Sequence, residues 1–186
     1  MTGVRTDAGE HAVQWQVRFA CRDYDHIDAS GLVNALYEEQ VARYGYADPA
    51  GADPGEYRRP HGLFLVAYSD GQPVGCGGYR TFDVQARCAE VKKMFVRPEW
   101  RGRGIGREVL CRLEDQAEAS GFRSVILETG IRNEAALALY GAMGYQPRSR
   151  YAIAYRDPSI NRAFTKDLTA PDAGPTPLGA ASPVRG

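Results

Sequence analysis

The sequence predicts an α/β fold: a mixed, mostly antiparallel sheet of about six to seven strands flanked by helices. Three observations point there. Apolar residues recur at two-residue spacing in several short runs and at helical spacing in others, and the two kinds alternate along the chain. An Asp70-Gly71 pair separates two apolar runs, the mark of an antiparallel hairpin. A glycine-interleaved, arginine-rich segment then joins a strand to a helix near the middle of the chain.

Taken in order, Val13, Trp15, Val17 and Phe19 alternate as in a half-buried strand. Ile27, Leu32, Leu36, Val41 and Tyr44 follow at helical spacing, just past acidic residues that suit a helix start. Residues 45–60 form a Gly/Pro-rich loop with several tyrosines. Residues 63–68 and 73–79 flank Ser69-Asp70-Gly71-Gln72 as paired strands, and 88–96 is a further strand. Ile105, Val109, Leu110, Leu113 and Ala117 mark the inner face of a helix ended by Gly121. A short strand is expected at 124–128. Asn133 is placed to cap a helix whose inner face is Ala136, Leu139, Tyr140 and Met143, with Gly144 after its end. Final strands are expected near 145–155 and 164–168. Residues 1–12 are polar and aperiodic, a loose leader. Residues 169–186 hold four of the 11 prolines among glycines and alanines, a composition expected to stay flexible. The working domain is then 13–168.

Composition excludes several classes of function. With 23 Lys+Arg against 23 Asp+Glu the chain has no net charge, which argues against nucleic acid as a partner. Hydrophobic residues at 44% and charged ones at 25% exclude a disordered or fibrous chain for the bulk of it. No leader-like or membrane-length apolar run is present, so neither a membrane partner nor a secretory signal is expected. Cys21, Cys76, Cys88 and Cys111 are scattered, and His11, His26 and His61 stand far apart. That pattern predicts free thiols in a reducing cytoplasm and no metal.

The most informative stretch runs from Lys92 to Arg107, where six cations (Lys92, Lys93, Arg97, Arg101, Arg103, Arg107) accompany one anion, Glu99. Glycines there let backbone approach a ligand closely, and a helix start offers unpaired N–H groups and a positive dipole end. Together they predict an anion site. The spacing is neither that of a dinucleotide-binding fingerprint nor that of a P-loop. A solvated basic helix start is the bland alternative.

Arg101-Gly102-Arg103-Gly104-Ile105-Gly106 resembles the acetyl-CoA signature [QR]-x-x-G-x-[GA] of the GNAT superfamily of N-acetyltransferases. Downstream, Asn133 to Tyr140 followed by Gly144-Tyr145 is similar to the family's N-x-x-A-x-x-L-Y-x-x-x-G-[FY] helix. The resemblance spans about 13–168 and implies a GNAT fold with acetyl-CoA as co-substrate. It implies that the amides of Gly102, Arg103, Gly104, Ile105 and Gly106 hold the pyrophosphate. Met94, Phe95 and Val96 would pair with the pantetheine amides as an added strand does, and Asn133 would contact the same arm. Which basic residue takes the 3′-phosphate stays open.

Acetyl transfer needs a deprotonated amine, a polarised thioester and a protonated leaving thiolate. Glu90, eleven residues before Arg101, matches the base position of histone-type members. Strand alternation would set it on the same face as Lys92, Met94 and Val96; otherwise it is an ordinary polar residue on a strand. Tyr140 is the candidate acid toward the CoA sulfur, with a buried core aromatic as the alternative. Val96 N–H would polarise the carbonyl. No cysteine has an evident histidine partner, so direct transfer is expected over a thiol intermediate.

For the acceptor, loops 44–60 and 156–163 would form the pocket. Arg80, Tyr44 and Arg58 are candidate contacts, because an Arg fork suits a carboxylate. That points to a small-molecule amine such as an amino acid, although solvent-facing arginines would look the same in sequence. A protein-lysine or antibiotic acetyltransferase, and a non-catalytic acyl-CoA sensor, are the competing functions. A homodimer is an assembly to test. The basic segment lacks the interleaved aromatics of single-strand RNA binders.

Overall fold

The computed structural model describes residues 16–47, 52–148 and 160–169. Its elements in chain order are β1 (Val17–Cys21), α1 (Ile27–Tyr44), β2 (Gly62–Ser69), β3 (Gln72–Asp83), β4 (Cys88–Val96), α2 (Ile105–Ala119), β5 (Ser124–Gly130), α3 (Glu134–Ala142), β6 (Gln146–Arg148) and β7 (Asn161–Asp167). The seven strands form one sheet in the order β1-β2-β3-β4-β5-β7-β6. Only β4 and β5 run parallel among them, joined by the α2 crossover that a parallel pair requires. The expected fold class therefore holds. The leader, the tail beyond Thr169, Val13, Trp15, most of the stretch 145–155, and residues 48–51 and 156–159 of the two expected acceptor loops lie outside the described residues.

Local chemistry explains the element ends. Asp70 (φ 48°) and Gly71 (φ 78°) both take positive φ, so the β2–β3 turn is the tight kind that matches strand twist. α2 ends in a closed cap: Phe122 N–H donates to Ala117 O, Gly121 N–H to Glu118 O, and Gly121 sits at φ 89°. α3 ends the same way, with Tyr145 N–H to Tyr140 O, Gly144 N–H to Gly141 O, and Gly144 at φ 80°. In both caps the residue after the glycine is a buried aromatic, Phe122 or Tyr145, which locks the chain back onto the core.

The sheet separates two cores. On one face α2 and α3 bury Ile105, Val109, Leu110, Leu113, Tyr140 and Met143 against Leu63, Leu65, Ala89 and Val91. On the other, α1 buries Ala29, Leu32 and Val33 against Phe64, Val66, Cys76 and Phe95. Tyr57, expected in an acceptor loop, belongs to this second core. It is 2% exposed and stacks on Tyr24 with ring centroids 4.7 Å apart. β3 also outruns its apolar segment, because Arg80, Thr81 and Asp83 continue the ladder to β4.

Gly62 opens β2 where two backbones converge: a Cβ there would overlap the carbonyl oxygens of Glu56 and Tyr79. Backbone on both sides cannot yield as a side-chain tip does. Gly62→Ala is expected to cost about 1–3 kcal/mol, read as a lower denaturant midpoint at unchanged m-value. An unchanged midpoint would contradict this packing.

Candidate active site

The parallel ladder of β4 and β5 runs from Cys88–Ser124 to Val91–Leu127 and stops. Beyond it the strands part, and a cleft opens between them. A bulge accompanies the parting. Lys93 takes φ 59°, and the β3–β4 register shifts between the Cys76–Phe95 and Gly78–Lys92 pairs. The bulge corrects the expected alternation. Met94 and Val96 pack with the α2-side core and Phe95 with the α1-side core, while Glu90 keeps company with Lys92, whose Nζ lies 3.7 Å away. One inserted residue reverses which face the following side chains occupy.

The cleft is lined by Lys92–Val96 of β4, Trp100–Gly102 and Gly104–Arg107 after it, Glu128–Gly130 of β5, Asn133, Leu139 and Tyr140 around α3, and Glu39, Gln40, Arg43 and Tyr44 of α1. In the segment leading into α2, Gly102 (φ 75°) and Gly104 (φ 78°) are left-handed. Nothing lies within 4 Å of a Cβ added at either, so conformation rather than crowding calls for glycine. Gly104 is the N-cap of α2 and supplies no side-chain cap, which leaves first-turn N–H groups for a ligand. Free N–H groups at a helix start are the kind of donor an anion takes.

The cations are less concentrated on that site than their count suggests. Arg97 Nε donates to Pro73 O at 2.9 Å, and Arg103 lies over the Trp100 ring and donates to Glu99 O. Lys93 stacks over Tyr37, with Nζ 4.7 Å from the ring centroid. Arg101 donates to Val96 O at 2.9 Å and pairs with Glu39 of α1. Arg107 lines the cleft from an exposed position on the first turn of α2.

Tyr140 also lines the cleft, at 5% exposure, with Tyr145 and Phe164 rings about it. Burial pushes its phenol well above the ordinary value, so it carries its proton at any physiological pH. Asn133 lines the cleft while its Oδ1 accepts from Ala136 N–H as the α3 cap. Three predicted residues sit elsewhere. Glu90 is fully buried and takes Arg80 Nε at 2.8 Å. Arg80 also donates Nη1 to Glu56 at 2.7 Å; burial disfavours its charge, but Glu90 and Glu56 outweigh that and raise its pKa. Arg58 pairs with Asp23 and Asp25 on the surface. None of the three lines the cleft, whereas Tyr44 does.

The acetyltransferase (GNAT) family model matches residues 33–145. The chain belongs to this family. An IAA acetyltransferase of Azospirillum brasilense is 41% identical over 100 residues, covering 54% of this chain and 65% of that one. The N-alpha-acetyltransferase RimI of Mycobacterium tuberculosis is 38% identical over 99 residues, covering 53% and 61%. The matches thus span less than two thirds of these relatives. Among solved structures, a candidate acyl-CoA N-acyltransferase from Klebsiella pneumoniae aligns with TM-score 0.67 and 27% identity over 82% of this chain and 97% of its own. The Salmonella typhimurium protein yncA, solved with acetyl-CoA, aligns with TM-score 0.60 and 20% identity, covering 86% and 99%, and shows the shared fold.

Within this GNAT domain one cleft residue escaped the sequence reading. Glu128, near the C-terminal end of β5, turns to the cleft, and both its carboxylate oxygens are shielded from solvent. It shares a strand face with Ile126 and Gly130 rather than with the core residues Val125 and Leu127. A signal was present: a glutamate interrupts an apolar strand twelve residues before Tyr140.

Proposed function

We propose that the protein is an N-acetyltransferase that moves the acetyl group of acetyl-CoA directly to the amine of a small molecule. The observation that carries this is the cleft itself: an anion cradle at the α2 N-terminus is continuous with an unladdered β4 edge and with Tyr140 and Glu128. Gly102 to Gly106 hold the pyrophosphate through backbone N–H groups, and Met94, Phe95 and Val96 meet the pantetheine arm. Val96 N–H polarises the thioester carbonyl.

Glu128, in place of Glu90, takes the proton from the amine. A base must reach the group it deprotonates, and Glu90 is held by Arg80 away from the cleft lining. The amine nitrogen bonds to the carbonyl carbon, the C–S bond breaks, and Tyr140 gives its proton to the departing thiolate. A covalent thiol intermediate is disfavoured. No cysteine lines the cleft, and burial pushes the Cys76, Cys88 and Cys111 thiols up, away from the thiolate. Both a carboxylate and an acid in the cleft favour turnover over cofactor sensing alone.

Calorimetric titration with acetyl-CoA and thiol release across a wide amine panel test the reading. Saturable binding with thiol release on at least one amine class is expected; absence of acetyl-CoA binding would overturn it. Gly104→Ala places a Cβ on a left-handed residue at the cradle, at a strain of about 1 kcal/mol or more. It is expected to weaken acetyl-CoA about tenfold while far-UV dichroism stays unchanged. Unaltered affinity would remove the cradle from the cofactor's site.

A further inference from the structure

Tyr44 ends α1, lines the cleft, and has a buried hydroxyl with no hydrogen-bond partner among the described residues. A buried hydroxyl left so costs about 1–3 kcal/mol, and a ligand that reaches it recovers that. The ring is well held. Arg132 lies over it at 4.9 Å from the centroid, and the Tyr46 ring is 6.2 Å away. Beneath it is Gly130, where an added Cβ would overlap the Tyr44 hydroxyl and Cζ. Gly130 has no left-handed φ, so Tyr44, not the backbone, requires the missing side chain.

Gly130 and Glu128 are two apart on β5 and face the same way. A strand rise of about 3.3 Å per residue separates them by roughly 6.6 Å. The Tyr44 hydroxyl therefore stands one side-chain step from the proposed base, on the same wall of the same cleft. That spacing suits an amine at Glu128 with an oxygen on the carbon next to its own at Tyr44. The Arg132 charge on the ring face strengthens the hydroxyl as a donor and disfavours a second ammonium nearby.

We infer that Tyr44 is the specificity-determining residue of the acceptor site and selects α-amino compounds by donating its hydroxyl to their carbonyl or carboxylate oxygen. Free amino acids, their amides and peptide N-termini share that chemistry. The inference rests on the acetyl-transfer reading above. It replaces the arginine-carboxylate contact that the sequence suggested, since Arg80 and Arg58 are engaged elsewhere.

The test compares kcat/KM, by thiol release from acetyl-CoA, for amino acids, amino-acid amides, dipeptides and oxygen-free n-butylamine. The native protein is expected to favour one of the oxygen-bearing sets, and which one identifies the source. Tyr44→Phe is expected to lower that set about 10- to 100-fold and leave n-butylamine unchanged. Gly130→Ala, which displaces the hydroxyl, is expected to do the same with acetyl-CoA affinity intact. An equal loss on both kinds of amine, no loss on either, or a native preference for n-butylamine would overturn the inference and leave acetyl transfer standing. Acetyl-CoA binding without thiol release on any amine would overturn the transfer reading, and this inference with it.

Discussion

Glu128→Gln is expected to lower kcat for acetyl transfer by about 10²- to 10⁴-fold, the usual worth of a general base, with acetyl-CoA affinity unchanged. Gln keeps the volume and the polar character of the side chain but accepts no proton. The amine would then have to shed its proton to water, and near neutral pH an α-amino group with a reference pKa of about 8 is mostly protonated. The deficit should shrink as pH rises toward the amine's own pKa, because the reactant then arrives already neutral. Tyr140→Phe is expected to show a comparable loss with the opposite pH behaviour. Burial raises the Tyr140 pKa, so the phenol stays protonated and able to donate across the neutral range and beyond. The native pH–rate profile should accordingly climb and reach a plateau, with no alkaline fall below about pH 10. A descending limb centred near pH 8 would mean that another acid serves the thiolate. Full activity of Glu128→Gln would return the base role to a different group.

The fold was legible where local chemistry decides. Asp70-Gly71 set the β2–β3 turn, and the glycine–aromatic pairs Gly121-Phe122 and Gly144-Tyr145 closed two helices by the same cap. The left-handed glycines before α2 were legible for the same reason, since their conformation is decided within a few residues. What escaped depends on partners distant in sequence. Alternation along β4 fails at Lys93, where β4 parts from β5 and slips register against β3, a tertiary event with no period in β4 itself. Arg80 and Glu90 lie directly opposite each other across β3 and β4. Without that register each looked like an independent site residue, one for a carboxylate and one for an amine. Paired, they satisfy each other. Tyr57 misled in a similar way: a tyrosine in a Gly/Pro-rich loop suggests a pocket, but Tyr24 and Phe64 enclose its ring.

Glu90→Ala is expected to destabilise the fold by about 3 kcal/mol, the lower end for breaking a buried ion pair, and to leave transfer per folded molecule within a few-fold of native. Arg80 side-chain exposure is 27% and that of Glu90 is 0%, so removal of the carboxylate strands a guanidinium that cannot fully rehydrate. Arg80 keeps Glu56 at 2.7 Å, which limits the cost. For a domain of this size the corresponding fall in Tm is about 6–12 °C. Loss should come from the unpaired charge rather than from absent pairing energy. The double change Glu90→Leu with Arg80→Met is therefore expected to recover part of the stability, since Glu56 is 40% exposed and can return to water while Lys92 still loses its carboxylate at 3.7 Å. Thermal or urea melts of both variants, scored beside kcat, separate the two roles that a buried glutamate on β4 can hold. A structural Glu90 moves Tm and spares kcat. Native Tm with turnover abolished would identify Glu90, and not Glu128, as the base.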